Sequence, residues 1–577
     1  MNNKPTPIDE SKLLPKILGG DYELTNFIEG ETEPSDEAAD AILAEIDGVP
    51  AFRGLKPFKW PVTAKTKQPR STVESLVDHG RKYLANGGCV YIDSTHLELA
   101  FPESRSAAGF VHAHRAMLDV AVAALKAANL RRDPEDGKIR LLAGNSDGRG
   151  QAWGTHLDFL ISRDAFTNVM DRRLHYQAFL ASVHAAGVLF GQGKVGAENH
   201  PPIAYQISQR VPDFFSKVAT LDTMCGAHRG LVNTRDEALA GKRSAEFARY
   251  HCIPYDHTLN RYSDWLKVGH LQLVLSMIEA ERVPYDLILE DPPKAAHDWG
   301  RDQTLYDDRS KRVSSEYGRA RARLITGEWI TLAAYHARLA ERAGDFFSGA
   351  PELIGSVVPD AEAILHSWAE TAARLEAGDT AWLARRFDAW TKRNLLVEAM
   401  SQDSTLGWDS PRLKALDHLY GELPDGLFFL LERAGEVETS FPGANSELAQ
   451  TPYAAPRDTR AGVRAKLLGI LPRKDIVRVN WDEIVFEGID PATGRTRVFN
   501  LPLSDPAMQM PPFWDALSDP ADLAALSTKS VPPQPPPLRT HRPGPPRLEE
   551  RHHDSHSGRN AGPNPTKINK QNQSPNP

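Results

Sequence analysis

Between Asn86 and Glu103 the chain reads Asn-Gly-Gly-Cys-Val-Tyr-Ile-Asp-Ser-Thr-His-Leu-Glu-Leu-Ala-Phe-Pro-Glu, and its alternation restricts the fold more than any other feature. With a period of two, Tyr91 and Asp93 share one strand face. After the break at Ser94-Thr95, His96 and Glu98 repeat the pattern, with Leu97 and Leu99 turned the other way. A face carrying Tyr, Asp, His and Glu cannot be buried in apolar packing, because unpaired buried charge is costly. It meets either solvent or cations. An earlier segment, Ile17 to Leu24, places Asp21 and Glu23 on one strand face in the same way. Two such strands side by side would gather carboxylates and a phenol into a site for hard divalent cations, which take oxygen ligands. That donor set suits magnesium-nucleotide chemistry. Taken singly, however, either segment also reads as an ordinary half-exposed strand.

Length allows one large α/β unit with a small appendage. The formal net charge of −8 gives no reason to expect nucleic-acid binding. Three cysteines, Cys89, Cys225 and Cys252, are widely spaced without a CxxC pair, which fits free thiols in a reducing cytoplasm. No apolar run approaches membrane-spanning length, and the first residues lack the apolar stretch of a signal peptide. A soluble, cytoplasmic protein is expected.

Along the chain, residues 1–15 are polar and expected to be loose, and a first strand is expected at about 16–27. An acidic patch and a short helix at Ala41–Ile46 follow, then a Pro- and Lys-rich run from Gly48 to Arg70. A loop of that length within a compact domain is either a mobile insertion or a functional lid. Ser71–Leu84 and Phe110–Leu130 read as helices, the second with Val111, Leu118, Val122 and Leu125 at helical spacing. Its His112 and His114, two apart, are expected at the surface. Strands are expected at 139–143 and 152–162, joined by the turn Gly144–Gly150. That turn spells G-x-S-x-G, but a strand rather than a helix follows, which argues against a hydrolase serine. Gly191–Gly196 spells G-x-G-x-x-G after a helix, the wrong context for a dinucleotide site. Strands at 203–208 and 230–233 bring in Arg210 and Arg235, which can hold phosphate oxygens through forked hydrogen bonds or pair structurally with Asp236 or Glu237. Most of 263–282 and 311–435 is helical by period. A smaller unit at 436–515 has strand candidates at 474–479 and 484–486 around Trp481. The Pro-, His- and Asn-rich residues 527–577 cannot bury enough apolar surface to fold.

These residues resemble the Pup ligase and Pup deamidase/depupylase family, whose fold is related to glutamine synthetase. Gly19-Gly20-Asp21-Tyr22-Glu23 resembles the family's Gly-x-Glu-x-Glu. Asn86 to Asp93 with His96-Leu97-Glu98 resembles Asn-Gly-Ala-Arg-x-Tyr-x-Asp followed by His-Pro-Glu. Asn145 to Gly150, Trp153 to Leu160, Ser208-Gln209-Arg210, Asn233 to Glu237, Arg249-Tyr250-His251, Asp388 to Arg393 and Thr459-Arg460-Ala461 continue the series in order. The resemblance implies an α+β, glutamine-synthetase-like antiparallel sheet packed with helices over residues 16–435, plus a small C-terminal domain. It implies ATP and Mg2+ as cofactors, and a Pup-like or ubiquitin-like protein modifier and its lysine conjugates as partners. Asp93 would be the catalytic carboxylate. Asp21, Tyr91, Glu98 and Glu23 would hold metal, and Arg210, Arg235, Trp481, His156 and Arg460 would bind nucleotide or substrate.

The long segment 24–85 and Leu406-Gly407-Trp408-Asp409-Ser410-Pro411-Arg412-Leu413 look like the deamidase/depupylase branch. The expected activity is hydrolysis of a C-terminal glutamine carboxamide or of the modifier–lysine isopeptide bond. A ligase acting through an acyl phosphate and an inactive regulatory homologue are the alternatives. Several positions depart from the family pattern: Cys89 stands where the family has arginine, Phe101 where it has threonine, and Leu157-Asp158 where it has Glu-Asn. Asp21 is one methylene shorter than the family's glutamate.

Overall fold

The computed structural model describes residues 8–31, 34–53, 80–197, 203–221, 228–307, 319–444, 453–490 and 493–509, all within one compact unit. Nine strands form the principal sheet: β1 (Leu18–Ile28), β2 (Val49–Pro50), β3 (Lys82–Tyr83), β4 (Cys89–Asp93), β5 (His96–Ala100), β6 (Ile139–Leu142), β7 (Thr155–Ser162), β8 (Phe247–Cys252) and β9 (Glu422–Leu423). The path runs β8-β7-β1-β5-β4-β3-β2, with β6 and β9 branching from the far end of β1. Every pairing in it is antiparallel.

β1 is the axis of this sheet. Its residues alternate strictly between buried and half-buried, as a strand with one apolar and one polar face must. Leu18, Tyr22, Leu24 and Ile28 point into the main core, and Asp21 and Glu23 point the other way. Behind the sheet lie α1 (Asp36–Glu45), α2 (Ala107–Arg131) and α3 (Arg261–Glu279). Ser106 caps α2 by accepting from the Gly109 amide at 3.0 Å, and Asn260 caps α3 through the Tyr262 amide at 3.1 Å.

α3 is buried on nearly every side, which marks a central core helix. It nonetheless carries Asp264 and Lys267, paired with each other at 2.8 Å. The other Asp264 oxygen meets His114 Nδ1 at 2.8 Å, and His114 Nε2 lies 2.9 Å from His257 Nε2. His114 is therefore a core residue, contrary to its expected surface position; a partner on another helix, invisible in local spacing, satisfies it. His112 is half-buried. The helix expected over Ser71–Leu84 lies outside the described residues as far as 79, and Lys82–Tyr83 is strand rather than helix. The lid expected between 24 and 85 falls, for residues 54–79, outside the described residues, as does the tail at 527–577. Of the N-terminal residues, Glu10–Lys12 form a single turn, and Lys12 pairs with Glu281 at 2.6 Å.

Toward the C-terminus, α4 (Arg460–Ile470) precedes a three-stranded antiparallel sheet of β10 (Ile476–Val479), β11 (Glu483–Ile489) and β12 (Thr496–Pro502). These elements share an apolar cluster with Val49, Tyr83, Cys89, Tyr91 and Ala100 of the principal sheet. A buried ionic clamp fixes the junction. Glu103 accepts from Arg460 Nε at 2.6 Å and from Arg464 Nη2, while Arg464 Nε also donates to Gly87 O at 2.9 Å. Gly87 needs its positive φ of 84° here, and a Cβ on it would lie 2.6 Å from Ala461 O.

Burial alone would raise the Glu103 pKa, but the two guanidiniums outweigh it and hold the carboxyl below its usual value. The clamp thus contributes stability above the ordinary glutamate range and loses it as the pH falls through the folded-state pKa. Glu103→Gln leaves two buried arginines short of their counter-charge and is expected to cost about 3–5 kcal/mol. Urea unfolding at neutral pH reads this directly, and an unchanged midpoint would contradict the clamp.

Candidate active site: a carboxylate floor beneath an arginine wall

The polar face of the sheet floors a cleft of about 830 Å³, within the range of small-molecule sites. Register sets the order of side chains across it. Tyr91 on β4 is opposite Glu98 on β5, and Glu98 is in turn opposite Glu23 on β1. One step along, Asp21 is opposite His156 on β7. A further step brings Gly19, Asp158 and His251 into line across β1, β7 and β8. Asp93 closes β4 at the tight turn into β5, where Ser94 adopts a φ of 59°.

Two clusters of potential metal ligands result among the described residues: Asp21, Glu98 and His156, and Glu23, Asp93 and Glu98. Glu98 belongs to both. Tyr91 joins the first by donating to Asp21 Oδ1 at 2.8 Å. Crowding of this kind is costly when the groups are ionised. Burial, reinforced by Asp21, Asp93 and Glu23, drives the Glu98 pKa well above the carboxylate range. Burial and then Asp93 push Glu23 up to about 7, and burial also raises Asp21. Burial and the neighbouring His251 keep His156 neutral, with a pKa well below the usual imidazole value. Glu98 Oε2 is buried with no hydrogen-bond partner. An oxygen-rich donor set with an orphaned carboxylate oxygen fits a hard divalent cation such as Mg2+. Gly154 makes the packing possible: a Cβ there would run into His156 Nε2 and lie 2.7 Å from Glu23 Oε1.

Arginines surround the floor. Arg210, Arg229, Arg235 and Arg249 line the cleft on the β7–β8 side, and Arg81 lines it from the β3 side. Arg210 is fully buried and donates to the carbonyls of Ile253 and Tyr255 at 2.9 and 3.1 Å. Burial and the adjacent Arg229 push its pKa down to about 9. Arg249 pairs with Asp158 at 3.0 Å, and Asp158 also meets His251 Nδ1 at 2.9 Å. His251 Nε2 is buried without a partner.

Trp481 stands at the mouth of a smaller recess of about 100 Å³, which also takes in Leu160, Leu239, Pro506 and the Gly19–Gly20 end of β1. Tyr83 meets its ring edge-on at 5.5 Å, and the Arg464 guanidinium lies 4.7 Å from its centroid.

The structure therefore gathers Asp21, Glu23, Tyr91, Asp93, Glu98, His156, Arg210, Arg235 and Trp481 around one cleft. Arg460 sits apart, in the Glu103 clamp, and reaches only the smaller recess. Reading by sequence missed Arg81, Arg229 and His251 as lining residues. His251 and Arg249 do carry a signal, since they alternate along β8 as Tyr91 and Asp93 do along β4. The departures at 101 and 157 lie on the core side of the sheet. Leu157 is fully buried, and Phe101 packs 4.7 Å from Tyr22 and 5.1 Å from His114.

Known proteins resemble this chain in sequence and in fold. The family model described as Pup-ligase protein matches residues 36–485. A Pup–protein ligase of Corynebacterium kroppenstedtii is 26% identical over 446 residues, covering 73% of this chain and 87% of that protein. A Pup deamidase/depupylase of Mycolicibacterium smegmatis is 27% identical over 534 residues, covering 88% and 98%. Among solved structures, the ligase PafA in complex with the prokaryotic ubiquitin-like protein Pup superposes with a TM-score of 0.67 at 21% identity, covering 90% of this chain and 95% of that one. PafA in complex with ADP gives 0.62 at 21% identity, covering 81% and 98%. At that identity it is the fold that is held in common. With the family model spanning most of its length, the chain belongs to the Pup-ligase family.

Proposed function

We propose that this chain is an ATP-dependent amidase that hydrolyses a C-terminal glutamine carboxamide, or the modifier–lysine isopeptide bond, of a Pup-like protein. The observation that carries the reading is the double carboxylate cluster sharing Glu98, set beneath an arginine wall in one cleft. Asp21, Glu98 and His156 would hold one cation and Glu23 with Glu98 another, and Mg2+ there would offset phosphate charge. Trp481 and the apolar side chains of the smaller recess, which Asp21 also lines, offer a surface for the base of a nucleotide. Arg235, with its amide anchored to Asn233 Oδ1 at 3.0 Å, and Arg210 supply positive charge where an oxyanion would develop.

Asp93 ends its strand at the cleft rim, half-buried. It has the position to attack the scissile carbonyl or to take the proton of an attacking water. The amidase is favoured over ligation by the wider match to the deamidase/depupylase relative, 98% of its length against 87% for the ligase, and by the long segment between Glu23 and Arg81. In a ligase the same Asp93 would take the proton of the incoming lysine. Loss of turnover is disfavoured because Tyr91, Asp93 and Glu98 are intact and Phe101 and Leu157 lie on the core side; of the departures that favour it, Cys89 shares the face of the floor.

The purified protein, supplied with Mg-ATP, is expected to release ammonia from a Gln-ending modifier or free target from a modifier–lysine conjugate; conjugate formation instead would establish the ligase. Asp93→Asn should lower that rate by about 10²–10⁴ while nucleotide still binds, and full activity in the variant would remove the assignment. Nucleotide and Mg2+ together, at 100-fold over their Kd, should add about 2.7 kcal/mol of stability that EDTA reverses. A melting curve indifferent to both would count against the site.

A further inference from the structure

Arg81 precedes β3, and the pairing of Lys82 with Val90 and Tyr83 with Cys89 carries it across from Tyr91. Its guanidinium lies over the Tyr91 ring, 4.6 Å from the centroid. It thereby extends the row of Tyr91, Glu98 and Glu23 into the cleft from the opposite flank to Arg210, Arg229, Arg235 and Arg249. Position 89, which shares that face, is a fully buried cysteine and supplies no cation. Among the described residues lining the cleft, Arg81 is the cation on this flank of the floor.

Register also fixes where Arg81 lies along the sheet: in the row of Tyr91, Glu98 and Glu23, four residues along β1 from Gly19. The apolar recess opens at Gly19 and Gly20, and Glu23 lies further along β1. Four residues of strand from Gly19 bring β1 about 13 Å on to the Glu23 row, and Arg81 lies in that row beyond β5 and β4. With the base at Trp481, the chain of phosphates would pass Asp21 and end at the row that Arg81 completes. A guanidinium held on an aromatic face keeps its fork of donors oriented, which suits a phosphate with several free oxygens.

We propose that Arg81 holds the terminal phosphate of the bound nucleoside triphosphate, an inference that rests on the nucleotide reading of the cleft. The test is titration calorimetry of the full chain with Mg-ATP and, separately, Mg-ADP. Arg81→Ala should weaken Mg-ATP at least tenfold and leave Mg-ADP within twofold, so the diphosphate reports that the variant is folded. Arg81→Lys, which keeps the charge and loses the fork, should fall between. Equal losses for both nucleotides in Arg81→Ala, or no loss for either, would overturn the role of Arg81 while leaving the nucleotide reading standing. A wild-type protein that binds neither nucleotide would overturn both.

Discussion

The repulsion among Asp21, Glu23, Asp93 and Glu98 governs the site. Four carboxyl groups on neighbouring antiparallel strands occupy a partly dry cleft, where like charges weaken one another's ionisation. Burial first, and that conflict after it, raise the pKa values of Glu23 and Glu98. A fold optimised for stability alone would replace such a cluster with apolar residues. Glu98 Oε2 is buried and unsatisfied on these central strands, and in the proposed function a cation would be its partner.

The surrounding structure is arranged to hold that conflict in place. Tyr22 faces the core from the same strand that presents Asp21 and Glu23, and it packs against Phe101, Phe110 and His114. Beneath it, Asp264 pairs with Lys267 and His114 in a buried network that continues to His257. At the other end of β5, Glu103 with Arg460 and Arg464 ties α4 to the strand that bears Glu98. Gly154, just before β7, leaves room for the Glu23 and His156 side chains that a Cβ there would strike. Pre-organisation of the floor is thus a property of core packing on one side and of ion pairs on the other.

What could be read from residues alone follows the range over which the signal acts. The antiparallel sheet was legible at β1, β4 and β5 because polar and apolar residues alternate with a period of two over several residues. The convergence of Asp21 and Glu23 with Tyr91 and Glu98 could be anticipated because both strands carried the same pattern. Two-residue strands such as β3 have no period to read, so Arg81 was hidden within what looked like a helix. His114 was misplaced because its partner, Asp264, is 150 residues away. The sequence likewise gives no sign that Arg460 clamps the distant Glu103 while it lines the smaller recess. Positions that depart from the family pattern were legible as departures, but only the sheet register shows that 101 and 157 face the core.

Glu98 is the carboxylate common to both proposed cation sites. Titration of the protein with Mn2+, followed by paramagnetic resonance of the free ion, measures this most directly. Two ions per chain are expected in the wild type, with Glu98→Gln losing both while its far-ultraviolet dichroism is unchanged. A variant that still bound two ions with unaltered affinity would contradict the shared-ligand floor, and with it the chemistry inferred from it.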